Sequence, residues 1–191
     1  QGNTGLNNLP VLTDTDTVTV TVRAVNDVPA NSVPGTQSTI EGTPVSFTGA
    51  TKIQISDIDA GTGTLRTIIS LSPNNSGSLS VTSAASGATI SGSPGLSVTI
   101  TGTVKGINDT LANSVVYTPR VDPNPLLNFI GQATITVTTN DQGNTGFAGN
   151  NPALTDTDTI LVDVKPAVRP LAINDSFTVV EDSTTAAASN Q

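Results

Sequence analysis

From Ala133 to Thr138, within the stretch Gly131–Asn140, apolar and hydroxyl side chains alternate strictly. Ala133, Ile135 and Val137 share one face, and Thr134, Thr136 and Thr138 share the other. A period of two predicts a strand with one buried and one solvated face, the signature of antiparallel sheets packed in a sandwich. The same rhythm, in short runs bounded by Gly, Asn, Ser and Pro, predicts strands over 44–48, 52–56, 64–71, 78–82, 96–103, 115–118, 132–139 and 157–164. The stretches 74–77 and 91–95 carry turn residues and predict hairpin loops. One segment departs from strand rhythm: in 106–113 Ile107 and Leu111 lie four apart, with Asn108 or Asp109 able to cap. The predicted fold class is therefore all-β, an antiparallel β-sandwich of Greek-key type with at most one short helical turn.

A long repeat sets the organisation. QGNTGLNNLPVLTDTDTVTVTV at 1–22 returns as QGNTGFAGNNPALTDTDTILVDV at 142–164, with one extra residue in the loop. From Asp14 to Asp156 the offset is 156 − 14 = 142 positions. Solenoid repeats run to roughly 20–50 residues, so this period suits a string of whole sandwich modules. Residues 1–27 are expected to be the C-terminal strand region of a preceding repeat, 28–168 a complete module, and 169–191 the N-terminal strand of a following repeat. Pro29, Pro34, Pro166 and Pro170 punctuate the two junctions, where pairing must stop.

Composition narrows the chemistry. The 191 residues are 35% hydrophobic but only 3% aromatic, so the core falls to Val, Ile, Leu and Ala, with Tyr117 and Phe129 expected within it. Seven Lys and Arg against fifteen Asp and Glu give a net charge of −8. That balance repels phosphate backbones and anionic lipid, disfavouring nucleic-acid and membrane-surface roles, and makes a cation the better partner. Without cysteine there is neither disulfide nor thiolate zinc site. No stretch approaches the roughly 18 apolar residues of a membrane span, so membrane insertion is not expected. The chain has no Met and no charged-then-apolar leader, which reads as a piece of a longer polypeptide. With no His, no Cys and only Glu41 and Glu181 as glutamates, Ser-His-Asp and Cys-His catalysis are excluded. A sugar-stacking aromatic platform for a carboxylate glycosidase is nearly absent too. The protein is expected not to be an enzyme.

Three loops could gather hard oxygen ligands at one end of a sandwich: 57–61 (DIDAG), 140–143 (NDQG) and the junction 24–29 (AVNDVP). Here the chain resembles cadherin-like tandem repeat modules of large bacterial surface adhesins. SDIDAGTG at 56–63 resembles the family's DxD loop, and TVTTNDQGNTG at 136–146 its strand ending in Asp-x-Gly. TVTVTVRAVNDVPA at 17–30 resembles a last strand running into the Asn-Asp linker, and IEGTP at 40–44 the early Glu. The resemblance implies an Ig/cadherin-like sandwich in an extracellular surface protein. It also implies calcium held by Asp57, Asp59, Asp141, Asn26 and Asp27 where the chain joins the module, with Glu41 serving a site at the other end. The second junction, VKPAVRPLAIND at 164–175, lacks the Asn-Asp pair at the matching place.

Other readings compete with metal binding. An Asp at a strand end commonly caps a turn. The DxDxG stretch opens like an EF-hand, but position twelve is Ile68 where a bidentate Glu is needed, so that motif is rejected. Asp14 and Asp16, like Asp156 and Asp158, share parity with inward-facing apolar residues. They must leave the sheet or find partners at its end, and hydrogen bonds to turn amides are favoured over a second cation. Lys52 lies opposite Ile53 and Ile55, which argues against a buried Lys-Asn crosslink, and the N-x-S/T triplets at Asn74, Asn108 and Asn174 are read as coincidental. The functional expectation is a non-catalytic extracellular spacer or adhesion unit made rigid by calcium, in contact with adjacent repeats. The alternative is a fibre-forming subunit that lends its terminal strands at 17–24 and 176–180 to neighbouring chains through homophilic contacts.

Overall fold

The alternating stretch forms β10 (Gly131–Asn140), which lies inside a six-stranded sheet. The computed structural model describes residues 13–82, 87–143 and 152–168. Chain order within them is β1 (Ala30–Ser32), β2 (Gln37–Ile40), β3 (Val45–Ser46), β4 (Gln54–Ser56), β5 (Leu65–Ser72) and β6 (Gly77–Ser80). Then come β7 (Thr89–Ser91), β8 (Ser97–Gly102), α1 (Val104–Ser114), β9 (Val116–Pro119), β10 and β11 (Thr155–Lys165). The large sheet runs β2-β11-β10-β5-β8-β7, facing a three-stranded sheet β3-β9-β6, with β1 and β4 paired separately.

The inward faces follow directly from side-chain parity. β10 aligns Ile135 with Leu71 and Ile160, and Val137 with Ile69. These join Leu65, Val98, Ile100 and Val162 from the large sheet, and Phe47, Leu79 and Tyr117 from the other side, in one core. Over the described residues the fold is an all-β sandwich, with one α-helix tucked against β4 and β8.

Three features depart from the sequence expectation. The helical segment is an eleven-residue helix rather than a single turn, and its cap is Thr103, whose hydroxyl accepts from Gly106 N at 3.1 Å. Asn108 instead bonds both the N–H and the C=O of Ile55, each at 2.8 Å, and so extends the edge of β4. The sandwich is not wholly antiparallel: β2 pairs with β11 in parallel. The loop at 74–77 is no hairpin, because β5 and β6 belong to different sheets, whereas 91–95 does join the paired β7 and β8. At Gly77, with φ +153°, an added Cβ would run into the carbonyl of Thr118, so only glycine allows this crossing.

Tyr117 anchors that crossing. Its side chain is fully buried and its hydroxyl donates to Ser76 O at 2.8 Å. Desolvation pushes the phenol up to about 12, against a smaller opposing effect of the Ser76 side-chain hydroxyl. Ionisation is therefore harder in the fold than in the unfolded chain. The stabilisation is complete below pH ~10 and is lost as pH rises through the folded value. Circular dichroism should show stability falling over that window together with tyrosinate absorbance, which comes from this single tyrosine. A Tyr117→Phe variant should lose the pH dependence while starting about 1 kcal/mol less stable.

Candidate metal centre

The turn at 57–61 follows β4 because Asp57 closes it. Asp57 Oδ1 accepts from Asp59 N at 3.2 Å and Ala60 N at 3.1 Å, and Gly61 takes a left-handed φ of +52° to let the chain out. The turn-capping account of this aspartate thus holds for one of its two oxygens. The other, Oδ2, is buried without a hydrogen-bond partner. Desolvation first, and the neighbouring Asp59 carboxylate second, raise the Asp57 carboxyl above its ordinary range.

The segment 24–29 crosses this turn. Asp27 N donates to Asp59 Oδ2 at 3.0 Å. Asn26, one residue earlier, donates Nδ2 to Asp141 Oδ2 at 2.6 Å and to Pro152 O at 3.0 Å. Both of those partners only accept, so the amide orientation is fixed and Asn26 Oδ1 must face elsewhere. That oxygen is also buried with no hydrogen-bond partner, and Asp59 Oδ1 is equally shielded from solvent. The three sequence-predicted loops therefore meet at one pole.

Asp141 occupies a different role from Asp57. It is 1% exposed, and its Oδ1 accepts from Gly143 N at 2.9 Å and Leu154 N at 2.7 Å. With Oδ2 on Asn26, the carboxylate clasps β10, the start of β11 and the incoming linker together. Among the described residues no three His, Cys, Asp or Glu side chains converge as metal ligands. The set that fits a hard cation is mixed: carboxylate oxygens of Asp57 and Asp59 and the amide carbonyl of Asn26, all oxygen donors of the kind calcium takes.

Glu41 sits at the far end of β11, where Ile40 is level with Lys165. Ten residues separate Lys165 from Thr155, about 33 Å of strand from the Asp141 pole. Its Oε1 accepts from Ala167 N at 2.9 Å and its Oε2 from Asn128 Nδ2 at 2.7 Å, which fastens the departing chain to the sandwich. The second junction from residue 169 lies outside the described residues.

Asp156 does not leave the sheet. Within β11 its Oδ2 accepts from Asn31 N at 2.7 Å and its Oδ1 from Thr157 N at 2.8 Å. Asn31 carries a second contact that sequence reasoning missed: its Oδ1 accepts from the buried Thr139 hydroxyl at 2.6 Å, which meets Thr67 Oγ1 at 3.0 Å. The only local sign was that Thr67 and Thr139 continue the inward parity of their strands. Asp14 and Asp16, by contrast, lie in an exposed stretch that pairs with no strand among the described residues.

Among the described residues no helix is long and apolar enough to cross a membrane. No protein-family model matches the chain. No curated protein matches it significantly. Among solved structures the chain is similar to AggA, the major subunit of aggregative adherence fimbriae type I from Escherichia coli. That likeness has 16% identity, a TM-score of 0.38, and covers 74% of this chain and 97% of that one. It is also similar to a chain of the Coh-OlpC-Doc435 type I cohesin-dockerin complex from Clostridium thermocellum, with 9% identity, a TM-score of 0.39, and coverage of 73% and 97%. At these scores the assignment of a sandwich rests on this chain's own strand pairing.

Proposed function

We propose that this chain is a non-catalytic extracellular adhesion or spacer module in which a calcium ion fastens the incoming linker to one pole of the sandwich. The observation that carries this reading is the pair of buried oxygens without hydrogen-bond partners, Asn26 Oδ1 and Asp57 Oδ2. They stand on the two segments that the Asp27–Asp59 bond joins. A buried carboxylate oxygen left unsatisfied costs free energy, and a divalent cation converts that cost into attraction. Asp57, Asp59 and Asn26 would hold the ion. Asp141 and the main chain of Asp27 would position the linker, and water or main-chain carbonyls would complete six to eight ligands. Removing the ion would leave two adjacent carboxylates repelling each other and the linker held by hydrogen bonds alone, so stiffness would depend on calcium. The lack of His and Cys supports a non-catalytic role.

Calorimetric titration of the full chain with calcium chloride, beside thermal unfolding, tests the reading. Saturable heat and a Tm that climbs with calcium concentration are expected, since an ion at 100 times its Kd adds about 2.7 kcal/mol. Identical melting with calcium and with chelator, and no binding heat, would end it.

A further inference from the structure

Residues 13–23 present a problem that the sandwich itself does not solve. Val18, Val20 and Val22 alternate with threonine as in a half-buried strand, yet they are 84%, 78% and 88% exposed. At the repeat offset of 142 these positions match Ile160, Val162 and Val164 of β11, which are 1%, 0% and 2% exposed. In β11, which lies between β10, antiparallel, and β2, parallel, that inward row packs into the core shared with the opposite sheet.

We propose that residues 13–23 are the final strand of another sandwich of this same fold, seated between that unit's equivalents of β2 and β10. The two eleven-residue stretches TDTDTVTVTVR and TDTDTILVDVK agree at every inward position except Val18 for Ile160, a difference of one methylene. The other changes, Thr19 for Leu161, Thr21 for Asp163 and Arg23 for Lys165, fall on the outward face or at the strand's end. Asp14 takes the place of Asp156, whose carboxylate accepts the Asn31 amide, so the other unit's matching amide is its partner. A shift of one residue would turn the valines to water, which makes the register as specific as the identity of the residues. The consequence is mechanical. Asn26 follows Arg23 by three residues, so the last strand of one sandwich and the polar cluster of the next are joined in series by Ala24 and Val25. This placement does not depend on a metal at that cluster.

Transplanting the strand within the full chain tests it. Replacing Thr155–Lys165 by the sequence of residues 13–23 should preserve a single cooperative unfolding transition and lower Tm by no more than about 6 °C, the effect of one Ile-to-Val change. The same replacement with residues 14–24, one position out of register, should abolish cooperative unfolding. A second protein places residues 28–154 directly ahead of Thr13, in register because Leu154 precedes Thr155 as Leu12 precedes Thr13. In it, hydrogen exchange at 17–23 should be as slow as at 159–165. Loss of folding in the first transplant, equal folding of the shifted one, or rapid exchange at 17–23 in the fusion would each overturn the proposal. None of these readouts involves calcium, so failure here leaves the metal reading standing, and the converse holds too.

Discussion

Replacing Asp141 by alanine is expected to cost about 3–5 kcal/mol of folding free energy even in the presence of chelator. The carboxylate is almost fully buried and receives Gly143 N, Leu154 N and Asn26 Nδ2. Alanine leaves the Gly143 and Leu154 amides without their acceptor and Asn26 Nδ2 with Pro152 O alone. An unsatisfied buried donor costs about 1–3 kcal/mol, and water can reach only the outer part of this site, so the losses add in part. The main-chain bond from Asp141 N to Leu154 O at 3.1 Å survives, which keeps β10 and β11 in register and limits the damage to the pole. Urea unfolding should show a lower midpoint with an unchanged slope. Asp141→Asn keeps one acceptor but turns an NH2 toward a donor, so its cost should fall between those of wild type and alanine. An alanine variant as stable as wild type without calcium would mean that this carboxylate serves an ion and not the fold.

How much of this was legible in the chain depends on the range of the forces involved. β10 was readable because parity alone decides which of its side chains are buried, and the structure buries Ala133, Ile135 and Val137 as parity requires. β1, β2 and β7 left no such trace. They are three or four residues long; partners distant in sequence, β4 for β1 and β11 for β2, create the first two, and β7 is only the short return of a hairpin onto β8. The length of α1 was hidden for the same reason. Gly106, Asn108 and Thr110 are poor helix formers, and the helix exists because Ile107 and Leu111 enter the core and Asn108 bonds to Ile55, 53 residues away. At the pole, the acidic spacing of 57–59 announced a turn with two carboxylates. It could not show that Asp57 divides its oxygens, one closing the turn and one facing inward unsatisfied, because that division depends on where residues 26 and 27 cross. The part played by Asp141 was similarly concealed, since two of its three donors belong to other segments.

Asp57→Asn should reverse the order of stabilities of the two proteins when calcium is added. Asparagine keeps the Oδ1 that caps Asp59 N and Ala60 N, and its NH2 can donate toward the Asp59 carboxylate that now lies beside a like charge. In chelator the variant should be more stable than wild type by about 1 kcal/mol, the scale of two unit charges a few ångströms apart near water. The sign follows from the raised carboxyl. Its ionised form is disfavoured in the fold, so the penalty is present at neutral pH and disappears as pH falls through the folded value. The advantage of the variant should therefore shrink on acidification. With calcium at 100 times its Kd, wild type should gain about 2.7 kcal/mol, or roughly 5–11 °C for a chain of this size, while the variant gains little because it has lost a charged ligand. Melting curves of both proteins in chelator and in calcium measure the crossing. Parallel shifts would place any ion elsewhere, whereas a variant less stable than wild type in both conditions would confine Asp57 to closing its turn.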